Sequence, residues 1–221
     1  NDYHEVGMRE ILYAEARKII APKKVLFSID ADEIISGNFA DSAEWKEILD
    51  LPPGSVIRMP WANLNPDMKT HSGGIVTHCG FVDDGKSMLA GGIMHSVRTP
   101  WPQYEIVIFE SRELRLLHYA HVNPDRIAAK VRWYSAYEKI ARSRLGLATW
   151  RQYNNYSANT SFPILPEWFA HYNEKGVDIT SVKYSYDYSH DYRVLEYLDK
   201  HGAAYFRKCD IWSKDWVAFA T

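Results

Sequence analysis

The chain has 221 residues, 46% apolar and 24% charged, which is enough to bury a sizeable core and excludes disorder and fibrous repeats. Its 26 basic and 28 acidic residues leave a net charge of −2, which excludes a dedicated nucleic-acid binder with the usual basic excess. Two cysteines, Cys79 and Cys209, are too few to staple a disulfide scaffold, and no apolar run approaches the roughly 18 residues of a membrane span.

The N-terminus carries no signal-peptide pattern, so the expected location is cytoplasmic or peripheral to a membrane. From His4 to Ile20 the apolar positions Met8, Ile11, Leu12, Ala16, Ile19 and Ile20 follow a helical stripe, predicted to face the core. Pro22 lies beyond its end, and Val25 to Ile29 reads as a short strand buried on both faces. A helix feeding a buried strand is half of a βαβ unit, so this strand is expected to be central and parallel to any neighbour that an upstream segment supplies. Asp41 to Leu49 reads as a helix capped by Asp41 or Ser42, with Trp45, Ile48 and Leu49 inward, and Pro52-Pro53-Gly54 follows it.

Strand patterns then run over 56–59, 75–82, 88–97, 105–109 and 114–119, several of them separated by Gly-rich turns. Asn123-Pro124-Asp125 opens a helix to Arg144, whose Ile127, Val131, Tyr134 and Ile140 are expected to pack on the sheet. Residues 153–166 read as a polar loop, and 167–174 and 191–201 as helices closed by Gly176 and Gly202. The expected fold is α/β, a mixed sheet with a parallel part plus antiparallel strands, flanked by helices. Residues 1–146 form its main portion and 147–221 a helical C-terminal extension of the same domain.

The sharpest chemical feature is Asp30-Ala31-Asp32-Glu33, directly after that strand. Three carboxylates this close raise one another's pKa unless a cation neutralises them. The ends of strands in open α/β sheets are where ligands bind, and oxygen ligands of this kind suit Mg²⁺ or Mn²⁺ completed by waters and phosphates. Two enzyme classes place D-x-D there: haloacid-dehalogenase-type phosphatases, with Asp30 as nucleophile, and nucleotide-sugar transferases.

Val25 to Ile34, with its D-A-D-E core, resembles the corresponding segment of family 2-like glycosyltransferases of the GT-A fold. Arg58-Met59-Pro60-Trp61-Ala62-Asn63 is similar to the strand-plus-Trp stretch that follows it in that group. Leu116-Leu117-His118-Tyr119, Asn123-Pro124-Asp125, Lys130 and Tyr134 look like the group's ending. The resemblance spans roughly residues 5–140 and implies a metal-dependent transferase of polysaccharide-biosynthesis type, with a nucleotide-sugar donor and a glycan acceptor. It implies Asp30, Asp32 and His118 as ligands of Mn²⁺ or Mg²⁺. Relative to a full GT-A domain the sequence enters at the helix before D-x-D, so the two βα units that hold the base and ribose are expected to be missing from it.

Donor contacts are expected from Asp30, Ala31, Asp32, Arg98 and Lys130, since a diphosphate needs positive charge beyond one metal. Trp61, Asn63, His71 and Trp101 are the expected acceptor contacts, drawn from loops or strand ends of little apolar periodicity. If the reaction inverts, a carboxylate takes the acceptor's proton. Asp83, Asp84, Glu105 and Glu110 are the candidates, with Glu105 favoured because Asp83-Asp84-Gly85 reads as a hairpin turn. His78 and His95 are further possible pocket residues. A non-catalytic glycan-binding or scaffold domain of degenerate transferase fold is the alternative from another functional class.

Overall fold

The computed structural model describes residues 5–89, 98–100, 106–142, 161–181 and 189–221. The helices among them are α1 (Glu5–Arg17), α2 (Ala43–Asp50), α3 (Pro124–Arg142), α4 (Glu167–Glu174), α5 (Ser189–His201) and α6 (Trp216–Ala220). The strands are β1 (Val25–Phe27), β2 (Glu33–Ile35), β3 (Val56–Leu64), β4 (Thr70–Val82), β5 (Ile108–Glu110), β6 (Leu116–His118) and β7 (Phe162–Pro163). The fold is α/β with a mixed sheet, ordered β1-β4-β3-β6-β2, as the pattern of elements predicts. β5 lies parallel to β3, whereas β1 on β4, β2 on β6 and β7 on β4 are antiparallel.

The chain divides into two compact units, one drawn from Asn1–Ala62, Gly73–His118 and Ile164–Thr180, the other from Asn63–Ser72, Tyr119–Pro163 and Ser181–Thr221. The expected division at residue 146 falls outside the described residues. In the first unit, strand alternation sends Ile57, Met59 and Trp61 of β3 to one face, together with Cys79 of β4 and Leu116 of β6. Ile48 of α2 closes over this face, and Phe27 stacks on Trp45 at 5.5 Å between ring centres. Gly80 lies opposite Phe27, and a Cβ there would come within 2.9 Å of both Phe27 and Ile57, so the sheet needs glycine at this point. Ser42 caps α2 by accepting from the Glu44 N–H, as expected of a serine at that position. Glu44 in turn accepts from the backbone N–H groups of Arg112 (2.8 Å), Glu113 (3.0 Å) and Leu114 (3.5 Å) and from the Ser111 hydroxyl. Burial alone would raise the Glu44 pKa, but these bonds outweigh it and hold the carboxyl below its usual range.

Four expectations are corrected. The stripe of α1 points outward: Met8, Ile11 and Leu12 are exposed, while Val6, Arg9 and Tyr13 are buried. Tertiary demand wins there, because Arg9 and Tyr13 carry bonds that the apolar residues are unable to make. β1 is half-buried and lies at one end of the strand order, paired antiparallel with β4, rather than at the centre. Leu49 is exposed although Ile48 is fully buried. On α3 the buried residues are Ala129, Arg132, Trp133, Ser135, Ala136 and Glu138, none of the four expected, and the helix packs on α5 within the second unit. Asn123 does cap α3, accepting from the N–H groups of Asp125 and Arg126. Of the expected strand at 88–97, residues 90–97 lie outside the described set, and Met88 and Leu89 form no strand.

Among the described residues no helix is long and apolar enough to cross a membrane.

Candidate functional site

The D-A-D-E segment turns directly into β2, and antiparallel pairing sets Glu33 opposite His118 of β6. On β3 the alternation that buries Ile57 and Met59 brings Trp61 to the same face, where its ring stacks on the His118 imidazole at 4.9 Å and 16°. The Nε2 of His118 lies 3.9 Å from Asp32 Oδ1, with both side chains largely buried. Sequence spacing alone puts His118 far from Asp32; the β2–β6 register is what joins them.

Asp30 faces a different set of groups. Arg9 of α1 donates to Asp30 Oδ1 at 2.8 Å and to the Ser28 hydroxyl at 2.5 Å. Arg98 donates to Asp30 Oδ2 at 2.6 Å and to Glu33 Oε2 at 2.5 Å, and the Asp30 N–H donates to that same Glu33 oxygen at 2.9 Å. The Arg98 guanidinium also lies 5.0 Å over the Trp61 ring. Burial by itself would lower the Arg98 pKa, but the Glu33 and Asp30 carboxylates more than reverse this and raise it. Two guanidinium groups thus meet the charge of two of the three acids. Glu33 Oε1, an acceptor, and Trp61 Nε1, a donor, are among the buried atoms that have no hydrogen-bond partner within the described residues. An unmet buried polar atom costs roughly 1–3 kcal/mol.

Asp30, Asp32, Trp61, Arg98 and His118 therefore converge in the first unit, with Ala31 exposed in the turn between the aspartates. Asn63, His71 and Lys130 belong to the second unit; His71 packs on Phe162 at 5.6 Å, and the Lys130 ammonium lies 5.8 Å over Tyr134. Trp101, Glu105 and His95 lie outside the described residues. Of the other carboxylates weighed as bases, Asp83 pairs with Arg17 at 2.9 Å and Glu110 with Arg58 at 3.1 Å. Asp84 accepts from Ser87 Oγ and from the turn N–H groups of Lys86 and Ser87. Burial and the nearby Arg58 lower the pKa of His78 and favour its neutral form. Cys79 is a buried free thiol that burial pushes up to about 12, so it acts as a core residue.

Sequence reasoning missed Arg9 and Ser28 as members of this cluster, and named Glu33 only as one of its three acids. The available signal was charge balance: three adjacent acids at a strand end require cations.

Among the described residues no group of three or more His, Cys, Asp or Glu side chains is placed to hold a metal ion. The pair Asp32–His118 nevertheless fits Mn²⁺ or Mg²⁺, ions that keep several waters and take one or two protein carboxylates plus substrate phosphates. Asp30 has both carboxylate oxygens bonded to guanidinium groups and is not part of that pair. No family model matches the chain, and no curated protein or solved structure matches it.

Proposed function

We propose that the chain is a metal-dependent glycosyltransferase of GT-A type, moving a sugar from a nucleotide-diphosphate sugar to a glycan or other hydroxyl acceptor. The observation that carries this reading is the Asp32–His118 pair at 3.9 Å, stacked beneath Trp61 and bordered by Arg98. Asp32 and His118 would hold Mn²⁺ or Mg²⁺. When bound, the ion supplies Lewis-acid neutralisation of the departing nucleotide diphosphate. Trp61 fixes the imidazole plane by stacking and offers its indole N–H to a ligand oxygen. In an inverting transfer Glu105 is the proposed base, because Asp83 and Glu110 are committed to arginines and Asp84 to its own turn. Glu105→Gln is expected to slow transfer about 10²–10⁴-fold with Mn²⁺ affinity unchanged, measured by product formation and metal titration.

The end position of β1, antiparallel to β4, weighs against the GT-A reading, since that fold sets this strand beside a parallel neighbour. The double guanidinium hold on Asp30 favours a second reading, a glycan-binding domain of degenerate transferase fold. The same hold opposes a phosphatase with Asp30 as nucleophile. Mn²⁺-dependent hydrolysis of a nucleotide sugar separates the two remaining readings: the transferase releases free sugar and the binding domain does not.

Trp61→Phe keeps an aromatic ring against His118 and removes the N–H. It is expected to raise the acceptor KM about 2–10-fold, the value of one hydrogen bond, while donor hydrolysis stays at the wild-type rate. An equal loss in both assays would remove Trp61 from the acceptor side.

A further inference from the structure

We infer that Arg98 is the resident counter-ion of the D-A-D-E pocket and that a divalent cation held by Asp32 and His118 displaces it, an inference resting on the metal reading above. Arg98 bridges Asp30 and Glu33 with bonds of 2.6 and 2.5 Å, so a guanidinium now neutralises the two acids that flank Asp32. Its side chain is 11% exposed and that of Glu33 is 0% exposed, so solvent contributes little screening.

Charge counting favours exchange over addition. Asp30, Asp32 and Glu33 with Arg9 and Arg98 leave one net negative charge when His118 is neutral. Adding a divalent cation to that set overshoots to one positive charge in a largely buried place, whereas replacing Arg98 by the cation leaves none. The two arginines also differ in attachment. Arg9 is anchored on α1 and bonds both Asp30 and Ser28. Arg98 belongs to no helix or strand, and a bond from the Tyr13 hydroxyl to its carbonyl at 3.1 Å holds its backbone. The buried Glu33 Oε1 is an acceptor the guanidinium leaves unused, available once the bridge opens. A displaced Arg98 remains beside Trp61 and His118, where its fork matches phosphate oxygens.

The test is titration of the full chain with Mn²⁺ alone, followed by electron paramagnetic resonance of the free ion, for wild type, Arg98→Met, Arg98→Lys and Asp32→Asn. Arg98→Met should bind Mn²⁺ about tenfold or more tightly than wild type, within the 5–150-fold range of ordinary coupling between two sites. Arg98→Lys, which keeps the charge, should stay within about threefold of wild type, and Asp32→Asn should lose binding. A residue that merely supported the fold would give the opposite sign for Arg98→Met. In the unaltered chain, where misfolding of a variant is no concern, the Arg98 Nε–Hε resonance should shift on addition of Mg²⁺. Mn²⁺ binding that Arg98→Met fails to strengthen, or an Arg98 signal that stays fixed while Mg²⁺ binds, overturns the exchange alone. No Mn²⁺ binding by wild type or Arg98→Met overturns the metal reading and the exchange with it.

Discussion

Replacing Asp32 by Asn is expected to remove Mn²⁺ binding and to lower transfer by roughly 10²–10³-fold or more, the range for losing one preorganised electrostatic contact in an active site. Asn keeps the size of the side chain but loses the negative charge that a hard cation requires. Asp32 is part of a turn rather than of the core, and it lies near two other acids, so the substitution relieves repulsion and should leave the fold intact. Calorimetric titration with Mn²⁺ and chromatographic measurement of released nucleotide check the two halves separately. Retained Mn²⁺ affinity in Asp32→Asn would take the residue out of the site.

The second large effect concerns stability. Asp191 at the start of α5 is fully buried and accepts from Arg132 of α3 at 2.9 and 3.0 Å and from Lys214 at 2.8 Å. Asp191→Asn leaves the buried Arg132 without its counter-charge, a change that costs about 3–5 kcal/mol. The melting temperature should fall by on the order of 10 °C, followed by far-UV circular dichroism. Burial alone would raise the Asp191 pKa, but Arg132 and Lys214 outweigh it and hold the carboxyl below its usual range. A depressed folded pKa means that this stabilisation is present above the unfolded value near ~4 and is lost as pH falls through the folded one. The gap in stability between wild type and Asp191→Asn should therefore be full at neutral pH and shrink below about pH 4.

Much of the local structure was legible in the sequence because its determinants are local. Ser42 before α2 and Asn123-Pro124 before α3 announce their helices through cap chemistry, and both cap as expected. Gly202 closes α5 with φ near +77°, a conformation that its lack of a Cβ allows. The candidate site was legible as a list of residues, in that Asp32, His118, Trp61 and Arg98 do meet. Its wiring was not. Which acid pairs with the imidazole follows from the β2–β6 register, and β2 itself is a three-residue strand with no pattern long enough to read. The hold on Asp30 depends on Arg9 and Arg98, 21 and 68 residues away in the chain. Helix faces failed for a related reason. The apolar stripe of α1 is a true periodic signal, but Arg9 and Tyr13 take the inward face because they bond Asp30 and the Arg98 carbonyl.

The most direct test of the central claim is a crystal soaked with Mn²⁺ and a nucleoside diphosphate, read by anomalous scattering at the manganese edge. The account predicts a single strong peak within about 2.0–2.6 Å of Asp32 Oδ1 and His118 Nε2, with phosphate oxygens completing the shell. A peak held by other residues, or none at millimolar Mn²⁺ with the nucleotide present, would contradict it.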